Sequence, residues 1–364
     1  MQIDYEARLQ KLRDTVDADV VAIVAGTNME YFTGLHFHLS ERPTIAFVHK
    51  EGLSLIIPKL EMLKVTNRPD LEVQAFAWSD SDGYDDAFKS AIAEPAIGGS
   101  LRLAVDGMTM RVFEWLALGK GGAKLDTILD AGQDLQWMRS HKTAEEIALI
   151  QEAVNLSEEA LRRTIEWAKP GMTELEIAKK LNDECNNLGA EGFAFNSAVL
   201  AGENSALPHG SPGHRKLGED EFLLIDFGGK KQSYPADITR TFCFGEPTAQ
   251  MREIYEAVLQ ANLAAQAFAK PGVTCHEVDK AARDVIKAAG YGDYFRHRLG
   301  HGLGLDTHEL PNIAENNHVK LEEGMVFTIE PGVYLPGVGG VRIEDDVVVT
   351  KDGIRSLTSF PREL

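Results

Sequence analysis

Cysteine is scarce: Cys185, Cys243 and Cys275 lie far apart in 364 residues, with no paired spacing. That argues against a disulfide framework and against a thiolate metal site, and a reducing, cytoplasmic setting is expected. Long apolar runs are lacking as well; none approaches the roughly 20 residues of a membrane-spanning helix. The opening MQIDYEARLQKLRDTVDAD is charged and lacks the apolar core of a secretory signal. Positive charge is in deficit, with 37 Lys and Arg against 56 Asp and Glu and a net charge of −19. Neither nucleic acid nor an anionic membrane is therefore expected as a partner. The same negative field helps to recruit a cation.

What is present suits two domains or one large one, and 44% apolar with 26% charged residues describes an ordinary soluble globular chain. Up to about residue 138, strand-like stretches (residues 20–24, 44–49, 53–58, 72–77 and 101–105) alternate with helical patterns (4–18, 60–66, 84–93 and 111–118). A turn at Lys50-Glu51-Gly52 joins two of the strands, and residues 35–42 form a polar, His-containing loop. This alternation predicts an α/β domain. It carries no phosphate loop and no dinucleotide fingerprint. Residues 138–143 read as a polar connector. Thr143, three residues before Glu146, predicts a capping box opening a helix with apolar Ile147, Ile150, Val154 and Leu161, which ends before Pro170-Gly171. The domains are accordingly placed at 1–138 and 139–364.

The second domain contains an internal repeat. Ala168-Lys169-Pro170-Gly171-Met172-Thr173, then Glu176-Ile177 and Lys179, returns 101 residues later as Ala269-Lys270-Pro271-Gly272-Val273-Thr274, then Glu277-Val278 and Lys280. In both copies a long helix precedes Lys-Pro-Gly and the Thr starts a second helix. One offset of this size predicts two similar halves facing each other across a central site.

Residues 221–244, EFLLIDFGGKKQSYPADITRTFCF, read as two strands joined by a turn containing Gly228-Gly229. Each carries one Asp among apolar and β-branched residues, Asp226 and Asp237. Period-2 alternation puts Asp237, Thr239, Thr241 and Cys243 on one face. Buried carboxylates need compensating positive charge. Downstream, Gly300-His301-Gly302-Leu303-Gly304 and His308-Glu309 contain too much glycine for a helix and predict a bent backbone aiming both imidazoles into one cavity. Glu330 closes an apolar strand, Arg342 and Glu344 lie on one side of the strand 339–349, and His209 sits in a turn.

Singly, each residue is most simply a solvated side chain. Together, Asp226, Asp237, His301, Glu330 and Glu344 offer four carboxylates and one imidazole, which suits two divalent cations of the Mn²⁺, Co²⁺ or Zn²⁺ type. Such a pair polarises a carbonyl and activates water, which is hydrolytic chemistry.

In this order, the paired strands, the GHGxGLxxHE loop, IEPGxY and GGVRIEDD resemble the pita-bread metallopeptidases, and within them the prolidase and aminopeptidase P branch. The resemblance covers residues 139–364 by motif and the N-terminal part more loosely. It implies an α+β chain: a C-terminal pita-bread (creatinase/aminopeptidase-like) domain and a smaller N-terminal α/β domain of the creatinase/prolidase type. It implies that Asp226 chelates one ion, that Asp237 and Glu344 bridge two, and that His301 and Glu330 bind the second. Manganese is the first choice of metal. Glu330 would also handle the proton of the attacking water. His209 and His308 would contact the substrate carbonyl and His297 would line the substrate site. Arg342, assigned to the substrate site with His297, would also order Glu344. The implied substrate is a proline-containing dipeptide or short peptide. Its Xaa-Pro amide has no N–H for an ordinary peptidase to hold.

Many prolidases that cleave only dipeptides carry an Arg after the HExP segment, where His308-Glu309-Leu310-Pro311 is here followed by Asn312. That departure favours a short aminopeptidase P type enzyme unless another cation substitutes. The resemblance implies a homodimer in which His36, His38 or Arg42 of one subunit would serve the other's site. The competing readings are a metal-free creatinase-like hydrolase, a catalytically silent binding module, and a metal-dependent hydrolase or lyase of a small non-peptide substrate. The last is the hardest to separate, because its ligands can be the same.

Overall fold

In the computed structural model, which describes residues 3–98, 102–124 and 127–364, the chain divides into units Met1–Arg139 and Ser140–Leu364. The first unit is built on a six-stranded sheet of β1 (Val20–Val24), β2 (Ile45–His49), β3 (Gly52–Pro58), β4 (Val73–Trp78), β5 (Leu103–Val105) and β6 (Leu129–Asp130), in the order β4-β3-β2-β1-β5-β6. Neighbours β1–β2 and β2–β3 are antiparallel, and β1–β5 and β3–β4 parallel. Every residue of β1 is buried, which is why its sequence is a continuous apolar run instead of an alternation. Helices α1 (Tyr5–Thr15), α2 (Thr27–Thr33), α3 (Met62–Thr66), α4 (Asp85–Ala93), α5 (Val112–Gly121) and α6 (Gly132–Ser140) accompany the sheet. Phe88, Ala91 and Ile92 of α4 and Leu118 of α5 join Val20, Phe47 and Ile56 in one core. The expected strand at 101–105 is seen from Leu103; Leu101 lies outside the described residues. The expected connector at 138–143 begins inside α6, because buried Leu135 and Met138 share a helix face.

In the second unit α7 (Ala144–Trp167) and α8 (Glu174–Asn187) precede β7 (Ala198–Ala201), β8 (Phe222–Phe227), β9 (Lys230–Lys231), β10 (Tyr234–Pro235) and β11 (Ile238–Cys243). A second helix pair, α9 (Ala249–Phe268) and α10 (Cys275–Ala288), precedes β12 (Gly300–Gly302), β13 (Glu309–Ile313), β14 (Val326–Ile329), β15 (Gly332–Leu335), β16 (Gly339–Arg342), β17 (Asp345–Val349) and β18 (Ile354–Ser356). The sheets run β11-β8-β7 and β13-β12-β14-β17-β18, with two-stranded pairs β15-β16 and β10-β9.

The repeat is a structural one. Thr143, Thr173 and Thr274 each close a capping box with Glu146, Glu176 and Glu277. The Gly171 N–H donates to the Leu217 carbonyl at 2.7 Å and the Gly272 N–H to Leu321 at 2.8 Å. The residues after each helix pair return to the same place: Thr173 bridges Lys216 and Thr274 bridges Lys320.

Strand alternation aims the site. Leu223, Ile225 and Phe227 of β8 pack with Leu161 of α7 and Ile177 and Leu181 of α8. Burying each such side chain stabilises by about 1.5–3 kcal/mol, and it leaves Asp226 on the opposite face. β8 and β11 are antiparallel, with Asp226 opposite Thr239.

Two expectations are corrected. Gly228-Gly229 is not the turn. The chain reverses at Gln232-Ser233, both at positive φ (45° and 69°), between β9 and β10. The Gly229 N–H instead donates to Ser157 Oγ on α7 at 2.9 Å, and a Cβ on Gly229 would press on Leu156, so the glycines answer to packing. The expected strand 339–349 is two strands: β16 pairs with β15 and β17 pairs with β14. The break falls at Ile343-Glu344.

Removing either repeated cap, by Thr173→Ala or Thr274→Ala, is expected to cost about 1 kcal/mol in denaturant unfolding. A cost within error of zero for either would contradict the equivalence of the two helix starts.

Candidate metal centre

The five expected ligands sit at strands or their ends. Asp226 is on β8, Asp237 just precedes β11, His301 is on β12, Glu330 follows β14, and Glu344 lies in the gap between β16 and β17. All five line one cavity of about 470 Å³, together with His209, His297, His308 and Arg342, the other residues expected in the site. One ligand atom each from Asp237, His301 and Glu344 lies within 4.8 Å of the others. His301 Nε2 is 3.3 Å from Glu330 Oε1 and 3.7 Å from Asp237 Oδ2.

The loop around His301 folds as it does because two backbones approach it closely. A Cβ on Gly300 would overlap the Thr328 carbonyl, and one on Gly302 the Leu310 carbonyl. The His301 N–H donates to Thr328 Oγ1 at 3.1 Å, and Thr328 Oγ1 reaches Glu330 Oε1 at 3.2 Å. His301 Nδ1 faces the Gly302 carbonyl at 3.2 Å. A carbonyl only accepts, so Nδ1 carries a proton, and Nε2 is the nitrogen turned to the carboxylates, placed to donate to Glu330 or, with a cation between them, to give that cation its lone pair. The rings of His301 and His308 meet edge to face with centroids 4.2 Å apart.

Glu344 is held from behind. Its carboxylate accepts from Thr239 Oγ1. The fully buried Arg240 donates to the Glu344 carbonyl at 2.6 Å and the Thr239 carbonyl at 2.9 Å, and pairs with Asp345 at 2.7 Å. The Asp237 N–H donates to Asp346 Oδ2 at 3.0 Å. Arg342 spends Nη2 on Asp226, Nη1 on Tyr334 Oη at 2.7 Å and Nε on Thr239 Oγ1 at 3.0 Å. It therefore reaches Glu344 through Thr239. Tyr334 Oη in turn donates to His297 Nε2 at 2.8 Å, since His297 Nδ1 donates to the Arg298 carbonyl at 2.7 Å.

The charges do not balance. Burial first, then the neighbouring Glu344 and Asp226, push the Asp237 carboxyl well above its ordinary value. Burial and then Glu330 and Asp226 do the same to Glu344, and burial raises Asp226 against the pull of Arg342. At Glu330 burial also raises, but the His301 hydrogen bond and charge outweigh it and bring the carboxyl down to about 2. Burial lowers both His297 and His308, and the neighbouring His301 lowers His308 further. Asp226 Oδ1 is buried without a hydrogen-bond partner. A buried orphan oxygen, crowded carboxylates and an imidazole Nε2 turned towards them fit divalent cations.

Sequence reasoning overlooked several of these residues. Thr239 was legible as a neighbour of Asp237 on one strand face, and Tyr334 as part of IEPGxY, but neither spacing reveals a hydrogen-bond relay. Lys142 makes a buried ion pair with Glu309 at 3.2 Å, which ties the residue after His308 in place; 167 residues separate them and no local pattern signals it. In the first unit, His36 pairs with Glu30 at 2.8 Å, and Arg42 grips Asp80 through Nε and Nη2 at 3.0 and 2.9 Å and Glu41 through Nη1 at 2.8 Å. His38 stacks edge to face on His36.

Residues 148–351 match the model of metallopeptidase family M24, and residues 7–141 match the creatinase/prolidase N-terminal domain. The chain belongs to metallopeptidase family M24. An uncharacterized peptidase of Staphylococcus epidermidis is 36% identical over 355 residues, 97% of this chain and 98% of the relative. The structure of a prolidase from Thermococcus sibiricus superposes with a TM-score of 0.92 at 33% identity, covering 100% of this chain and 99% of that one. That of an X-Pro aminopeptidase from Thermotoga maritima gives 0.86 at 32% identity, covering 98% and 99%. The second unit thus has the pita-bread fold and the first is a creatinase-type N-terminal domain, and this M24 peptidase is expected to use divalent metal, as its family does.

The crowding predicts a stability effect. An acid whose folded pKa is raised loses stability as pH rises through that value. Metal-stripped Glu344→Gln is therefore expected to be roughly 1–2 kcal/mol more stable than the metal-stripped parent at pH 7–8, with the difference vanishing near pH 4. Equal melting temperatures at pH 7–8 would contradict this.

Proposed function

We propose that this M24 peptidase holds two divalent ions, manganese first, and hydrolyses the Xaa-Pro bond of dipeptides or short peptides as a cytoplasmic homodimer. The observation that carries the reading is the convergence of Asp226, Asp237, His301, Glu330 and Glu344 on one cavity in which negative charge is left uncompensated. Asp226 would hold one ion, Asp237 and Glu344 both, and His301 and Glu330 the second. Cobalt and zinc suit the same donors. When bound, the ions would polarise the scissile carbonyl and make water a stronger acid.

The chain's own groups would do the rest. Glu330, steadied by Thr328 and His301, accepts a proton from the attacking water and delivers it to the departing proline nitrogen. His308, kept neutral by burial against His301, and His209 donate to the carbonyl oxygen as it gains charge. His297, locked by Tyr334 and the Arg298 carbonyl, walls the substrate site. Arg342 keeps Asp226 and, through Thr239, Glu344 in place. Phe195 and Pro208 line the same cavity and offer apolar surface to a proline ring. The structural relatives, a prolidase and an X-Pro aminopeptidase, support the same substrate class.

A panel of Xaa-Pro, Xaa-Pro-Yaa and Xaa-Ala peptides, with and without added Mn²⁺, tests this. Metal-dependent cleavage confined to proline peptides is expected. Cleavage of none of them would move the site to a small non-peptide substrate handled by the same fold. Asp237→Ala and Glu344→Ala are each expected to lower kcat at least about 1000-fold; an active, fully metallated variant contradicts the ligand assignment. Protons compete with the ions for these donors, and the carboxyls raised at Asp237 and Glu344 bind protons more readily than free ones. Metal affinity and activity should therefore fall steeply on acidification, and full activity at pH 4 would overturn this.

A further inference from the structure

We infer that Arg298 reads the free carboxylate of the substrate and makes this chain a dipeptidase by preference; the inference rests on the Xaa-Pro reading above. Among the described residues, two arginines line the cavity, Arg298 and Arg342. Arg342 is committed to Asp226, Tyr334 and Thr239. Arg298 Nη1 donates to Asn312 Oδ1 at 2.6 Å, and among the described residues no carboxylate lies within ion-pairing distance of it. It is thus a cation in an acidic cavity whose charge no carboxylate among the described residues cancels.

Its placement follows from the strands. Arg298 lies two residues before β12, which carries His301, and Asn312 on β13 is the residue opposite His301. The Asn312 carbonyl accepts from Asn317 Nδ2 at 2.5 Å, which fixes that part of β13. A neutral amide at 312 orients the guanidinium without neutralising it. An Asp there would bind it and an Arg would repel it. The remaining donors of the fork suit a planar carboxylate. A dipeptide presents that group one residue beyond the scissile bond, whereas a longer peptide has a neutral amide at the same point. The site therefore supplies the carboxylate-reading cation by a different route from an Arg after the HExP segment. Arg42, in the other unit, is already held by Asp80 and Glu41.

The test is the ratio of kcat/KM for Ala-Pro to that for Ala-Pro amide, with Ala-Pro-Ala alongside, in the manganese-loaded enzyme. The parent should prefer the free dipeptide. Arg298→Gln should lower the ratio roughly 100-fold, mainly through KM, and Arg298→Lys should recover part of it. Asn312→Asp keeps the guanidinium but pairs it internally, and should lower the ratio similarly. A ratio unchanged in Arg298→Gln, or in Asn312→Asp should the first variant not fold, overturns the role of Arg298 while leaving the Xaa-Pro reading intact. A parent enzyme that prefers Ala-Pro-Ala also overturns it. A parent that cleaves none of the three takes down both.

Discussion

Buried negative charge with too little positive charge beside it is the constraint on which this molecule turns. Asp226, Asp237, Glu330 and Glu344 share one cavity, and Arg342 is the guanidinium engaged with them, through Asp226. Desolvating a carboxylate costs several kcal/mol unless charge or hydrogen bonds offset it. The fold tolerates the crowding because the strands beneath are over-determined. Leu223, Ile225 and Phe227 fix β8 from one side, and Arg240, pinned by Asp345 and the carbonyls of Thr239 and Glu344, fixes the segment behind Glu344. A scaffold that keeps like charges together without relaxing is prepared for a cation.

The internal repeat explains how so many donors reach one point. The first half contributes Asp226 and Asp237 and the second His301, Glu330 and Glu344, each from a strand or a strand end following a helix pair with the same capping start. Two halves built alike present their strand ends to a common centre. Hydrogen bonds then tune what the strands only aim: Thr239 links Arg342 to Glu344, Thr328 links His301 to Glu330, and Tyr334 links Arg342 to His297.

Much of this could be read from the residues alone. Alternation placed Asp226 on a strand and Asp237 within one residue of one, glycine content ruled out a helix around His301, and Lys-Pro-Gly-x-Thr marked equivalent helix starts. Other features were hidden because they depend on contacts remote in sequence. Gly228-Gly229 has the composition of a turn but serves the packing of α7, and only Gln232-Ser233 adopt the positive φ of the reversal. The strand at 339–349 hides a break, since nothing local says that its two parts pair with different partners. The link from Arg298 to Asn312 crosses a strand pairing, so an Asn that reads as a lost cation turns out to sit beside one.

Whether cations occupy the space these side chains enclose decides the chemistry of the site. Anomalous diffraction from crystals equilibrated with Mn²⁺ measures this directly. The predicted result is two manganese peaks per chain, bounded by Asp226, Asp237, His301, Glu330 and Glu344, with Asp237 and Glu344 touching both. Peaks absent from this cavity, with its carboxylates still facing one another, would contradict the account.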